Sequence, residues 1–142
     1  MNLMILAGIA AGLAATPPTD LVHHVDLDHG ARTVRVSYHG DVTVRQKQVG
    51  MSLPGRQGTA RCVWQAEMQV ERRIAGAPAG GVRPVNGGPA ASGSRHGDCT
   101  AMRKAIAKEV AAATPDMHQA LAEAARRDRP QLLADLDGAG HI

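Results

Sequence analysis

The sequence predicts an α+β domain: an antiparallel meander of three or four strands, two or three C-terminal helices packed on one face, and one disulfide. Three observations lead there. Apolar and polar residues alternate with a period of two in segments between Leu21 and Ile74, apolar residues recur at helical spacing after Cys99, and the two patterns follow one another without interleaving. Strands followed by helices argue against a doubly wound parallel sheet and the ligand crevice at its strand ends. A chain of 142 residues suits a single domain, because splitting it would leave each half short of buried surface.

The first strand, from Leu21 to Asp28, puts Leu21, Val25 and Leu27 on one face, and Gly30 permits a turn. From Val34 to Val44, the residues Val34, Val36, Tyr38, Val42 and Val44 are apolar, whereas the intervening odd positions are polar. The parity persists across His39-Gly40-Asp41, so either one long strand kinks at Gly40 or a three-residue loop joins two shorter strands. After a loop around 54–58 comes the clearest alternation. Ala60, Cys62, Trp64, Ala66, Met68, Val70 and Ile74 face one way, and Arg61, Gln65, Glu67, Gln69, Glu71 and Arg73 the other. Arg72 interrupts the inner face and Val63 the outer one. Trp64 is read as core, and Glu67 and Glu71, with Arg61 and Arg73 nearby on the same face, as cross-strand ion-pair partners in preference to an acid/base pair.

Residues 75–97 are rich in Gly, Pro and Ala without apolar periodicity and read as a flexible loop, with Val82-Arg83-Pro84-Val85 a candidate for a brief edge strand. Asp98 or Thr100 can cap a helix in which Met102, Ile106 and Val110 recur every four residues. Thr114-Pro115-Asp116 restarts the helix, with Thr as N-cap, and the second helix buries Met117, Leu121 and Ala124 or Ala125 up to about Arg127. A short third helix follows Pro130, carrying Leu132, Leu133 and Leu136 until Gly138.

Compartment follows from the amino terminus and the cysteines. Leu3 to Ala15 is uncharged and apolar for thirteen residues and stops at Thr16-Pro17-Pro18, which suits the core of a signal peptide and is too short to span a membrane. Small residues at Gly12, Ala14 and Ala15 permit cleavage after Ala14 or Ala15. Residues 1–15 are therefore read as a signal peptide, 16–20 as a linker, and 21–142 as the domain, with no membrane span after signal removal. No Lys or Arg precedes the apolar run, so either the signal is atypical or the true start lies upstream; the competing reading is a buried N-terminal helix. Two cysteines in an exported chain most simply make one bridge, Cys62–Cys99. Because Cys62 shares a face with Trp64 and Met68, the bridge must leave from the buried side of the sheet. With one Trp, one Tyr and no Phe the core is thin, and a cross-link worth about 4 kcal/mol in the chain-entropy picture matters more than usual.

The net charge of +3 and a pI near 9.3 do not amount to a nucleic-acid surface. The basic residues are dispersed, and Arg126-Arg127-Asp128-Arg129 is interrupted by an acid and lacks interleaved aromatics. No phosphate-binding glycine motif and no G-x-S-x-G turn occur, and Ser92, Ser94, His96 and Asp98 crowd a single loop. No catalytic residue or organic cofactor site is assigned. The tract His23–His29 is the one concentration of ligand-type residues: His24, Asp26 and Asp28 share a strand face, His29 follows, and His39 or His118 would have to complete a site for a divalent metal such as zinc. The leading expectation is a periplasmic or secreted, non-enzymatic domain that contacts a protein partner in the cell envelope. The alternative is a metal-binding protein using His24, Asp26, Asp28 and His29.

Overall fold

A computed structural model describes residues 21–56, 58–77 and 81–139. The expected signal peptide at 1–15 and linker at 16–20 lie outside the described residues. Four strands, β1 (Leu21–His29), β2 (Arg32–Val49), β3 (Arg61–Ile74) and β4 (Val82–His96), form one curled antiparallel sheet in the order β1-β2-β3-β4. Two helices follow, α1 (Arg103–Ala112) and α2 (Thr114–Ala139).

The period-two pattern decides which face is buried. Val36, Tyr38 and Val42 of β2 and Cys62, Trp64, Ala66, Met68 and Val70 of β3 are buried, and they share one cluster with Ile106 and Val110 of α1 and Met117, Leu121, Ala124, Ala125 and Leu132 of α2. Cys62, fully buried, is bonded to Cys99, with their Cα atoms 4.9 Å apart. The bridge therefore leaves the inner face of the sheet and fixes the start of the helical segment against it.

β2 runs without a break. Gly40 is buried mid-strand, where a Cβ would come within 2.8 Å of the Met68 sulfur, so this glycine admits a core side chain and forms no turn.

Two expectations are corrected. Within 75–97, expected to be a flexible loop, Val82–His96 is an edge strand paired to β3. Its glycines and prolines follow from where it lies. Pro84 and Pro89 are tolerated at a sheet edge, where a missing N–H need not interrupt the ladder. Gly93 lies opposite Trp64, and a Cβ there would sit 2.6 Å from the indole nitrogen. The strand thus lacks apolar alternation because the bulk is supplied across from it.

The second correction concerns the helices, which number two among the described residues. The expected break before Pro130 does not occur, and α2 continues through it. Met117, Leu121, Ala124, Asp128, Leu132 and Asp135 follow one another at spacings of three or four, so a single helix brings all of them to one face. Contacts along that face outweigh the roughly 3 kcal/mol that an interior proline costs. Local capping differs too. Thr114 donates its hydroxyl to the carbonyl of Ala111, closing the end of α1 instead of capping α2. Asp98 caps a turn ahead of α1 by accepting the N–H of Ala101 at 2.7 Å.

Candidate functional site

The tract read as a possible metal site runs along β1, at the edge of the sheet. His24, Asp26 and Asp28 are exposed on the outer side of β1, opposite Ser37, Arg35 and Thr33 of β2. Asp26 accepts from Arg35 Nε at 3.2 Å and Asp28 from the Thr33 hydroxyl at 2.9 Å. His29 points away from them, with its Nε2 2.7 Å from an Asp137 carboxylate oxygen on α2. His39 lies 3.1 Å from the Ser37 hydroxyl, and His118 is exposed on α2. Among the described residues no three His, Cys, Asp or Glu side chains converge as a metal site would require.

Among the described residues one charged side chain is buried, Arg72, which in the sequence is only an interruption of the apolar alternation. Arg72, on the inner face of β3, is 1% exposed. Its guanidinium donates to Asp128 Oδ2 at 2.6 Å and to Asp135 Oδ2, while Tyr38 donates its hydroxyl to the same Asp128 oxygen at 2.9 Å. Arg83 of β4 and Gln131 of α2 add donors to Asp135 at 2.7 and 2.9 Å. Burial alone would lower the Arg72 pKa, but hydrogen bonds and charge from Asp128 and Asp135 raise it. Burial likewise pushes the Asp135 carboxyl up, and hydrogen bonds from Gln131, Arg72 and Arg83 outweigh this and hold it below the ordinary range. Burial first, and then the Asp128 hydrogen bond, drive the Tyr38 phenol well above its usual value. Both carboxylates are committed to this network, so it fastens α2 to β2, β3 and β4. Asp128 and Asp135, seven positions apart, were the available signal once Arg72 was placed inside.

A surface trough of about 630 Å³ runs over the β2–β3–β4 region, lined by His39, Asp41, Glu71, Arg73, Pro84 and Asn86 among others. Glu71 and Arg73 pair at 2.9 Å along the same strand, not across strands as expected; Arg61 instead donates to Ser94 at 2.7 Å.

The remaining feature lies at the far end of the β2–β3 hairpin. Val49, Met51, Leu53 and Val63 are exposed, Met51 by 66%. Val49 and Val63 are outer-face neighbours in the register, since Val49 opposes Arg61 and Lys47 opposes Val63. Met51 is held at the strand end by Thr59, whose N–H donates to its carbonyl at 3.0 Å. Arg45, Lys47 and Arg61 lie on the same outer face as Val49 and Val63, and Arg56 donates its N–H to the Leu53 carbonyl at 3.3 Å.

No family model, curated protein or solved structure matches this chain. Function therefore rests on the geometry alone. No helix among the described residues is long and apolar enough to cross a membrane.

Proposed function

We propose that this is an exported domain, periplasmic or secreted, that works by contacting a protein partner in the cell envelope through the far end of its β2–β3 hairpin. The supporting observation is the cluster of Val49, Met51, Leu53 and Val63, four large apolar side chains kept in water beside cations. Keeping such groups exposed is unfavourable unless something covers them, and an apolar centre with a charged rim is the usual make-up of a protein contact. Export is supported by the Cys62–Cys99 bridge, which persists in oxidising compartments, and by the apolar run at 3–15. A photo-crosslinking residue at Met51, with one at exposed His118 as control, tests the proposal in envelope fractions. A discrete crosslinked species from Met51 and none from His118 is expected. Equal, diffuse labelling from both positions overturns it.

The second reading is a divalent cation such as zinc on the His23–His29 tract, favoured by the alignment of His24, Asp26 and Asp28 on one strand face, with His29 on the opposite face. Metal analysis of untagged protein, with His24→Ala and His29→Ala for comparison, decides it. Unchanged metal content in both variants removes the reading.

A further inference from the structure

β2 is twice as long as β1, 18 residues against 9. The pairing of β1 ends at Leu21 opposite Gly40, so among the described residues Asp41–Val49 is paired on one side only, to β3. The hydrogen-bonding direction on this stretch can be worked out. Ala75 donates to the Arg35 carbonyl, and Thr59 donates to the Met51 carbonyl, so odd-numbered residues on this strand direct their backbone groups toward β3. The β2–β3 register is constant from Val36 to Val49, so the even residues Val42, Val44, Gln46 and Gln48 direct their N–H and C=O groups to the other edge.

Sheets blunt such edges with charged side chains, proline, bulges or cover. β4 has Pro84, Pro89 and two irregularities, and α2 packs against both β4 and β1. The stretch 41–49 contains no proline or glycine and its pairing with β3 has no bulge, so its guards are the charges of Asp41, Arg45 and Lys47, which repel a strand of like charge and admit one that neutralises them.

We propose that Asp41–Val49 is a strand-addition site for an extended segment of a partner protein that alternates acidic and apolar residues. The proposal deepens the hairpin-end reading above, since the two surfaces adjoin at Val49. The alternation follows from the faces: Val42 and Val44 lie on the inner side, whereas Thr43, Arg45 and Lys47 lie on the outer side, and no ion pair among the described residues involves Arg45 or Lys47. An added strand with carboxylates on its outer face would neutralise both cations, and opposite-charge cross-strand pairs are favourable.

Two other occupants fit poorly. A second copy, paired antiparallel with the outer face continuous, must avoid the place held by β1. Its two-fold axis can then lie no earlier than Arg45. An axis there sets Arg45 against Arg45, and an axis at Gln46 or Lys47 sets Arg45 against Lys47 or Lys47 against Lys47. The chain's own upstream residues, continued in the β1 register, would place Asp20 against Asp41 and would set Pro17, which has no N–H to donate, against Val44.

The test is amide hydrogen exchange on the full disulfide-bonded chain, alone and with a nine-residue peptide alternating valine and glutamate. Alone, the amides of Val42, Val44, Gln46 and Gln48 should exchange at least tenfold faster than those of Thr43, Arg45 and Lys47. The glutamate peptide should slow the four even positions at least tenfold, and a valine–lysine peptide should not. Gln46→Pro should abolish the effect, and Arg45→Glu with Lys47→Glu should reverse the preference between the two peptides. Even-position amides already protected in the free chain would overturn the proposal, as would equal protection by both peptides. If Met51 still crosslinks to a partner in that case, the hairpin-end reading survives and the strand-addition site alone fails.

Discussion

Replacing Asp128 with alanine isolates the buried charge network. The carboxylate is 7% exposed and the Arg72 side chain 2%, so its removal leaves a guanidinium arm and the Tyr38 hydroxyl without their shared acceptor in a place water reaches poorly. Breaking a buried pair from one side costs about 3–5 kcal/mol. Asp135 still holds the other arm of Arg72, which puts the expected loss near the lower end, about 3 kcal/mol. A domain of this size has a total stability of only about 5–15 kcal/mol, so the melting temperature should fall by roughly 10 °C. Urea unfolding followed by fluorescence reads this directly, because Trp64 is the single tryptophan and is 1% exposed. Arg126→Ala removes an exposed pair with Glu123 and should cost no more than about 0.5 kcal/mol. Replacing the network with apolar groups together (Tyr38→Phe, Arg72→Met, Asp128→Leu) should recover most of the loss, since what destabilises is the charge left alone. A loss below about 1 kcal/mol for Asp128→Ala would refute the reasoning and class the network with surface pairs.

Further outcomes follow from other parts of the fold. Cys62→Ala with Cys99→Ala, which opens a bridge of sequence separation 37, should lower stability by about 4 kcal/mol, measured as a shift in urea midpoint. Gly93→Ala should cost about 1–3 kcal/mol and alter the Trp64 emission, because the added methyl has to displace the indole or the Glu109 carboxylate that accepts its N–H at 3.2 Å. The Asp135 pKa is depressed in the folded chain, so its contribution to stability is complete above the unfolded carboxylate value of about 4 and fades as pH falls through the folded value. Midpoints measured between neutral and acid pH should therefore decline there, and Asp135→Asn should flatten that decline.

What the sequence disclosed and what it hid divide along physical lines. Where one element supplies its own apolar alternation, as in β3 from Cys62 to Val70 or α1 at Ile106 and Val110, the pattern and the burial agree. β4 was hidden because the residues opposite Trp64, Ala66 and Met68 are Gly93, Ala91 and Gly88, so its pairing is visible only from the opposing strand. The continuity of α2 was hidden by Pro130, a local signal overridden by tertiary contacts. Arg72 stood out in the alternation, but its meaning required Asp128 and Asp135 to be placed on one face of an unbroken helix. Of the metal tract, the sequence conveyed the shared face of His24, Asp26 and Asp28, but not the Arg35 and Thr33 partners across the ladder that engage the two carboxylates.

The proposed export rests on the Cys62–Cys99 bridge and the apolar run at 3–15. Intact-mass measurement of the protein recovered from its native envelope fraction, before and after reduction, is the most direct test. The predicted result is a chain beginning after Ala14 or Ala15 that gains the mass of two hydrogens on reduction. A chain that retains its first fifteen residues, with both thiols open to alkylation without reductant, would contradict it.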